Sequence, residues 1–377
     1  MKLSITLFFC LLAFPGTESI LASVPPHSRV LELIRRGEIP VPYYLKNLAN
    51  IRSSGVNAPW SAPRHRDNMG TSSVGRPKLG LAATPAGSWR ALVILTQFTD
   101  HPSSVSTTSF DQIVFGTSFG TVHDYYHTVS YGRLDIVTVN LPSSTGWKTM
   151  PHPYSYYVNG QNGFGSYPQN AQRLVEDALN AVAGVVDFKN YDNDGDGYVD
   201  ALFVVHSGPG AEFTGSNNDI WSHSWTTSSP QLHNGVYVFH YAMVPEYWST
   251  PGDMTCGVYC HELGHALFGL PDLYDTDYSS EGLGRWTIMA GGSWNGPNGL
   301  GGSPALMDAW CLSQMGFAKI LPITANTVAA PIYRRQDSST VYRLWRNGNT
   351  ASPEYFLVEN RQQAGYDSYL PGNGLCV

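Results

Sequence analysis

Residues 260–265 read Cys-His-Glu-Leu-Gly-His, and this stretch constrains the fold of the 377-residue chain more than any other. Residues four apart on an α-helix lie on one face, so His261 and His265 can present two imidazole rings to one metal ion. Glu262 lies beside them. The spacing H-E-x-x-H is typical of zinc hydrolases, so the segment predicts a helix that carries a metal centre.

Zinc chemistry accounts for these residue types. Neutral imidazole nitrogens bind Zn²⁺ at about 2.0–2.1 Å, and a catalytic zinc ion keeps three protein ligands and a water molecule whose pKa falls to about 7. A carboxylate beside that water can take its proton and pass it to a leaving amine. We therefore predict that His261 and His265 are zinc ligands and that Glu262 is the general base and then the general acid.

The third zinc ligand is expected just after the helix. Gly269 and Pro271 predict the helix end, because glycine suits a left-handed cap and proline cannot continue the hydrogen bonding. The reversed chain can then bring Asp272 back towards the metal, so Asp272 is the first candidate. The alternatives are that Asp275 or Glu281 is the ligand, or that Asp272 only braces the turn.

Three blocks of sequence, residues 260–275, 282–296 and 303–310, closely resemble the immune inhibitor A family of secreted zinc metallopeptidases. In that family the H-E-x-x-H helix is followed by Gly-Leu-Pro-Asp and later by a turn that contains a methionine. The resemblance covers about residues 88–377. It implies an α/β fold of the α+β zincin type, in which a mixed twisted sheet lies beside a backing helix and the active-site helix.

The same resemblance implies that Met289 is the methionine of this turn and forms a hydrophobic floor beneath the zinc. One departure concerns the third ligand. Compared with metzincin-type spacing, Gly269 and Asp272 each come one residue later, and the inserted residue is assigned to Phe268. The insertion leaves both histidines and Glu262 in place, but it leaves the position of Asp272 open.

A second metal-binding pattern spans residues 192–200. Oxygen-bearing side chains at positions 1, 3 and 5, glycine at position 6, a backbone carbonyl at position 7 and a carboxylate at position 9 match the first part of an EF-hand calcium loop. Position 12 is Phe203, where an EF-hand has glutamate, so this is not an EF-hand. We predict a structural Ca²⁺ site at Asp192, Asp194, Asp196, Tyr198 and Asp200. The alternative is a turn whose carboxylates face water.

The first 22 residues contain one basic residue, Lys2, followed by a short apolar run, which is typical of a secretory signal peptide. An uncleaved anchor is the alternative, but the run is too short to cross the ~30 Å hydrocarbon layer. The net charge of −7 does not indicate nucleic acid or an anionic membrane as a partner. We therefore expect a secreted, soluble protein without a membrane span, and a monomer.

Residues 23–86 differ in composition from the rest and predict a pro-segment or linker, with one short amphipathic helix and a stretch rich in Ser, Pro, Gly and Arg. This segment contains no cysteine, so a thiol cannot block the zinc. Asp67 could do so, although an inert linker is the simpler interpretation. After loss of Cys10 with the signal peptide, an even number of cysteines favours disulfides in an oxidising compartment, with the pairing left open among Cys256, Cys260, Cys311 and Cys376.

The catalytic domain is expected at residues 87–322. Apolar runs and periodicity predict strands at 90–98, 134–139, 200–206 and 236–244, and helices at 109–126, 167–184 and 305–315. His223 lies between tryptophans and is expected to be packed and hydrogen-bonded instead of binding metal. Residues 323–377 predict the start of a β-rich C-terminal region, truncated at its end, with strands at 327–333, 340–345 and 354–360.

These observations together predict a secreted zinc endopeptidase that acts on protein or peptide substrates, with catalytic Zn²⁺ and structural Ca²⁺. Two alternatives remain. One is a zinc exopeptidase or another zinc hydrolase, because a zinc centre sets the reaction type and not the substrate. The other is a non-catalytic, calcium-stabilised binding protein that has kept the fold. An extended edge strand beside the metal would favour the endopeptidase.

Overall fold

The computed structural model describes residues 23–54, 84–275 and 279–377. The predicted signal peptide and Asp67 lie outside these residues. The helices are α1 (Ser28–Arg35), α2 (Tyr43–Lys46), α3 (Leu48–Ser53), α4 (Thr107–Phe115), α5 (Val122–Val129), α6 (Pro142–Thr145), α7 (Tyr154–Val158), α8 (Ala171–Val182), α9 (Ala211–Thr214), α10 (Cys256–Phe268) and α11 (Ala309–Gln314). The strands are β1 (Gly87–Arg90), β2 (Leu92–Gln97), β3 (Leu134–Val137), β4 (Lys148–Thr149), β5 (Leu202–Pro209), β6 (His223–His233), β7 (Val236–Tyr247), β8 (Lys319–Ile323), β9 (Thr340–Leu344), β10 (Phe356–Arg361) and β11 (Gly374–Cys376).

A mixed five-stranded sheet forms the centre of the molecule, in the order β4-β2-β5-β7-β6. The first four strands are parallel, and β6 runs antiparallel to β7 at one edge. β2 and β5 each begin with four consecutive apolar residues and are buried along almost their whole length, because both faces of a central parallel strand are covered. The predicted α/β class with a mixed sheet is confirmed.

Helix α8 is the backing helix. It begins where the Asn170 side chain accepts a hydrogen bond from the main chain of Arg173, which satisfies one of the unpaired N–H groups of the first turn. Leu174, Ala178 and Val182 recur at helical spacing and are all buried. α8 contacts β2 and β6. Fully burying a side chain such as Leu174 contributes about 1.5–3 kcal/mol, so this stripe fixes the helix on the sheet.

Helix α10 is buried at every residue, which is expected of a helix that passes through the core. It contacts β6 and β7 of the sheet and also α5. The hydroxyl group of Tyr126 on α5 donates a 2.7 Å hydrogen bond to the carbonyl oxygen of Cys260. The helix ends at Gly269, whose φ of 62° lies in the left-handed region, as predicted for its cap.

Several predicted elements differ from those observed. The helix predicted at 109–126 is two helices, because the chain breaks at Gly116 and turns at Gly120 with φ of 87° before Thr121 caps α5. The helix predicted at 305–315 begins only at Ala309, since the Asp308 side chain caps it there.

The strand predicted at 327–333 is wrong. Ala329 has a positive φ and Pro331 cannot donate a ladder hydrogen bond, so the local chain does not join a sheet. Strand β8 precedes this segment instead and pairs in parallel with β9. The C-terminal sheet has four strands in the order β11-β10-β9-β8.

The C-terminal sheet is joined to the catalytic region through the fully buried Arg361 of β10. Its guanidinium donates to the carbonyl oxygens of Trp286, at 2.9 Å, and Leu306, at 3.3 Å. Its charge is paired with Asp367 at 2.7 Å. Both halves of the chain therefore share a buried polar network. The domain boundary at residue 322 stays a prediction.

Candidate active site

Three side chains from the end of α10 and the following turn meet at one point. The Nε2 atoms of His261 and His265 lie 2.9 Å apart, and Oδ1 of Asp272 lies 3.2 Å from the first and 3.4 Å from the second. Two ligands of a tetrahedral zinc ion with bonds of about 2.0–2.1 Å are separated by about 3.3 Å. The triangle therefore has the dimensions of one face of a zinc tetrahedron.

Both histidines are held in one tautomer by main-chain carbonyl groups. Nδ1 of His261 donates to the carbonyl oxygen of Ile288 at 2.7 Å, and Nδ1 of His265 donates to that of Leu270 at 2.5 Å. The Nε2 lone pairs then face one another, and Oδ1 of Asp272 is buried without a hydrogen-bond partner. Burying three electron-rich atoms together costs free energy that a cation offsets, so these groups fit a metal.

Glu262 is fully buried next to this triangle. Burial, reinforced by the negative charge of Asp272, raises the pKa of Glu262 well above its ordinary value, although a hydrogen bond from the main chain of Val24 acts in the opposite direction. Oε1 accepts that hydrogen bond at 3.0 Å, and Oε2 has no partner. A carboxyl group with a raised pKa in this position can take up and hold a proton.

The two alternative third ligands lie elsewhere. The carboxylate of Asp275 accepts hydrogen bonds from Ser279 and Ser280, both at 2.8 Å, and so stabilises its own loop. Glu281 is exposed. Among the described residues, the carboxylate that the structure brings to the two histidines is Asp272. The extra residue before Gly269 therefore does not keep Asp272 away.

Met289 is fully buried beneath α10. A Cβ atom added at Gly264, which lies between the two histidines in sequence, would come within 2.8 Å of the Met289 sulfur. Helix and methionine thus pack closely at the helical turn that carries the two histidine rings, and the glycine is required for this approach. This contact fits the predicted role of Met289 as a floor.

The structure also places an unforeseen element at the site, the N-terminal residues 23–26. Ser23 pairs with His223 as an antiparallel bridge on the edge strand β6, and its N–H donates to Oδ2 of Asp272 at 2.6 Å. The carbonyl oxygen of Val24 accepts from the Trp221 indole at 3.1 Å. A stretch of extended main chain therefore crosses the metal site. No signal in residues 23–26 themselves indicated this position.

Further contacts anchor this N-terminal segment. The Tyr44 ring is stacked on Trp221, with a centroid distance of 4.6 Å, and the Tyr44 hydroxyl contacts Oγ of Ser23. The N–H group of Tyr44 donates to Oδ1 of Asn162 at 3.0 Å, and the N–H group of His27 donates to the carbonyl oxygen of Glu212 at 2.8 Å.

His223 is packed as expected. Its Nδ1 contacts the carbonyl oxygen of Trp221 at 2.6 Å, and its Nε2 contacts the hydroxyl of Tyr241 at 3.1 Å. Burial lowers the pKa of His223 to about 4, so the ring is neutral near pH 7. Both nitrogens are engaged, which leaves this histidine outside the triangle.

The predicted calcium loop is partly assembled. Carboxylate oxygens of Asp192, Asp194 and Asp200 lie within 4.8 Å of one another, and Oδ1 of Asp192 is buried without a hydrogen-bond partner. Asp196 lies outside this group, and its Oδ1 accepts a 2.9 Å hydrogen bond from the N–H of Tyr198. The structure thus gathers three of the four carboxylates that were predicted to bind calcium.

The disulfide expectation is not met, because every cysteine in the described part of the chain is a free thiol: Cys256, Cys260, Cys311 and Cys376. Cys256 and Cys260 are one turn apart on α10. Residues so spaced have Cβ atoms about 5–6 Å apart, whereas a disulfide needs about 3.5–4.5 Å. A rigid buried helix cannot close that gap.

None of the helices in the described ranges is long and apolar enough to cross a bilayer.

A model of the family described as immune inhibitor A peptidase M6, catalytic domain, matches residues 105–319. Immune inhibitor A of Bacillus thuringiensis subsp. alesti is 32% identical over 216 residues, which are 48% of this chain and 30% of that protein. The pre-pro-metalloprotease PrtV of Vibrio cholerae serotype O1 (strain M66-2) is 29% identical over 226 residues, 52% of this chain and 23% of that protein. The chain thus matches less than a third of the length of either relative.

The matched family segment includes the histidine pair, Glu262, Asp272 and the turn of Met289, and it covers more than half of the chain. This chain belongs to the immune inhibitor A peptidase M6 family.

Proposed function

We propose that this chain is a zinc-dependent endopeptidase that hydrolyses peptide bonds in proteins. The triangle of His261, His265 and Asp272, with Glu262 beside it, is the observation that carries the proposal. Family membership supports it, and one of the two relatives is named a metalloprotease.

The residue roles follow from this geometry. Bound zinc would polarise the scissile carbonyl group and lower the pKa of water. The carbonyl oxygens of Ile288 and Leu270 hold the two imidazoles in the ligating tautomer. Glu262 accepts the proton from water at Oε2, the oxygen without a partner, and returns it to the leaving nitrogen. Its burial keeps the proton from exchanging freely with solvent.

Strand β6 favours cleavage within a chain over removal of terminal residues. It is the edge strand of the sheet next to the metal site, and Ser23 already pairs with it through His223. An edge strand binds extended polypeptide through main-chain hydrogen bonds, and such a peptide can continue in both directions. An exopeptidase, the main alternative, would need a group that recognises a chain terminus.

Residues 23–54 act as a pro-segment in this proposal. Val24 donates to the general base and Ser23 donates to Asp272, so a substrate cannot occupy the same positions. Release of the segment must precede catalysis. We further propose that residues 1–22 are a signal peptide and that the protein is secreted, which rests on their sequence.

We also propose a structural Ca²⁺ ion at Asp192, Asp194 and Asp200. The clustered carboxylates support it, since their mutual repulsion is relieved by a divalent cation with oxygen preference. Waters or further oxygens complete the shell of six to eight ligands.

Cleavage of casein tests the peptidase. The chain is assayed intact and after limited proteolysis within residues 55–83. Each form is tested with and without a zinc chelator, and the Glu262→Gln variant is assayed in the same way. We expect chelator-sensitive cleavage that appears on processing and is absent in the variant, with zinc retained. A processed, folded, zinc-loaded chain that cleaves no protein but removes terminal residues would establish the exopeptidase. If no peptide is hydrolysed, the result would favour the alternative of a non-catalytic binding protein.

A further inference from the structure

Helix α5 carries a second pair of histidines with the spacing of the catalytic pair, His123 and His127. Their rings are parallel to within 7°, with centroids 6.2 Å apart. Both converge on one carboxylate oxygen of strand β3. Oδ1 of Asp135 lies 3.7 Å from Nε2 of His123 and 2.7 Å from Nδ1 of His127. The three ligand atoms all lie within 4.8 Å of one another.

These distances suit a small cation. Ligands of a tetrahedral zinc ion are separated by about 3.3 Å, and the observed spacings of 2.7 and 3.7 Å lie on either side of that value. The His127 and Asp135 side chains are partly exposed, so small rotations can bring both distances closer to this value. An ion pair alone needs one ring beside the carboxylate, whereas here two ring nitrogens and one carboxylate oxygen lie close enough together to surround one ion.

The His123 ring is fixed from behind. Its Nδ1 donates a 2.9 Å hydrogen bond to the carbonyl oxygen of Ile136, the residue after Asp135. This places the lone pair of Nε2 towards Asp135. Metal-binding histidines almost always donate their other ring N–H to a carboxylate, a main-chain carbonyl or water, and carbonyl oxygens hold His261 and His265 in this way.

We propose that His123, His127 and Asp135 form a second site for a divalent transition-metal ion, with Zn²⁺ as the preferred occupant. Two imidazoles and one carboxylate suit Zn²⁺ better than Ca²⁺ or Mg²⁺, which prefer oxygen ligands. The His127 and Asp135 side chains are 50% and 35% exposed, so water completes the coordination shell. We assign the site a structural role, because its three side chains contact one another and the carbonyl oxygen of Ile136.

The bound ion would tie helix α5 to strand β3. The buried face of α5 carries Tyr126, which donates to the carbonyl oxygen of Cys260 and stacks on Phe268 of the catalytic helix. A metal on the outer face of α5 therefore stabilises the helix on which α10 rests. Metal removal loosens this support without removing a catalytic group.

Zinc stoichiometry tests the proposal. The parent is the full-length Glu262→Gln chain, which cannot digest itself, dialysed against buffered Zn²⁺ and analysed by mass spectrometry of the metal. We expect one more zinc ion per chain in the parent than in His127→Ala or Asp135→Asn built on it. His233→Ala, which alters a histidine whose ring packs at a tilt against Phe188, is the control and keeps the parent's stoichiometry.

Thermal unfolding gives a second measurement, in which any contribution from zinc at His261, His265 and Asp272 is common to the proteins compared. Added Zn²⁺ should raise the melting temperature of the parent and of His233→Ala beyond the rise seen in the two site variants. The proposal is overturned if His127→Ala binds as much zinc as the parent, or if the His233→Ala control loses the same zinc ion. It is likewise overturned if zinc shifts all four melting temperatures equally.

Discussion

The main-chain nitrogen of Val24 lies 3.0 Å from Oε1 of Glu262, so a peptide group of the chain itself is bound to the carboxylate that we propose as the general base. Ser23 and Val24 are as inaccessible as core residues. The contact is made by the main chain, as it would be by a substrate. The N-terminal segment forms an antiparallel bridge with β6 at Ser23. In the proposed function, the N-terminal residues therefore occupy the position that an extended substrate would take.

Glu262→Gln should abolish peptide hydrolysis and spare metal binding. The amide keeps the size and the acceptor for Val24 but cannot take a proton. General acid–base catalysis contributes about 10²–10⁴-fold, so kcat should fall by at least that factor. Assays on processed protein, with zinc measured alongside, check this. Normal turnover by the variant would assign the base to another residue.

Asp272→Asn should weaken zinc binding strongly, while Asp275→Asn should not. Asp272 lies 3.2 Å from Nε2 of His261, and an amide is a neutral and poorer ligand. Asp275 instead accepts from Ser279 and Ser280. Competition with a zinc-binding dye gives both affinities. Equal zinc affinities in the two variants would mean that Asp272 braces the turn.

Tyr44→Ala should activate the unprocessed chain. Loss of the buried ring removes its packing on Trp221 and Phe164, and truncation of a buried aromatic side chain costs about 3–5 kcal/mol. The open fraction should rise by about 10²-fold or more, measured as the initial rate of peptide cleavage by the intact chain. Once residues 23–54 are removed, both proteins should have the same activity, which is the control. An intact variant as silent as the parent would contradict a pro-segment role.

Calcium should raise the melting temperature, and Asp192→Asn should remove most of that rise. Asp192 contributes the buried oxygen that lacks a hydrogen-bond partner. Calcium at 100 times its dissociation constant would stabilise the fold by about 2.7 kcal/mol. Asp187→Asn is the control, since the Asp187 carboxylate lies nearby in sequence and accepts a hydrogen bond from the N–H group of Lys189. A calcium response that survives in Asp192→Asn would indicate a different site.

The titration of Glu212 should lower the free energy of unfolding as the pH rises from the ordinary pKa of this group to its pKa in the folded protein. Burial raises the pKa of Glu212 from 4.5 to about 7, although hydrogen bonds from Ser222 oppose this. The folded state therefore binds this proton more tightly than the unfolded state, and stability is lost between about pH 4.5 and 7. The loss is on the order of 3 kcal/mol.

Glu212→Gln lacks this titration. As the pH rises from 4 to 8, the urea concentration at the unfolding midpoint should fall in the parent relative to Glu212→Gln. A difference that stays constant with pH would show that Glu212 titrates normally.

The sequence predicted the catalytic helix well because local rules fix it. The spacing of His261 and His265 and the stop at Gly269 depend only on helix geometry and backbone conformation. Asp272 could be proposed but not placed, because its distance to the rings depends on a turn that is set by tertiary contacts such as the bond from Leu273 N–H to the Met289 carbonyl oxygen.

Two features of the site region escaped prediction. The position of Ser23 depends on pairing with β6 across 200 residues, and no local pattern records such a contact. The His123 and His127 pair had a readable signal, the same four-residue spacing as the catalytic pair. Its third member, Asp135, comes from a neighbouring strand and becomes visible only once α5 and β3 are packed together.

Arg361 links the C-terminal strands to the segment that surrounds the Met289 turn. Its guanidinium satisfies the carbonyl oxygens of Trp286 and Leu306, on either side of the Met289 turn in sequence. A chain cut at residue 322 would lack Arg361 and would leave both carbonyl oxygens without this donor. Recombination that moves the peptidase region into another gene would therefore have to include the strands that follow residue 322. The unit that is inherited together is longer than the segment that contains the proposed catalytic residues.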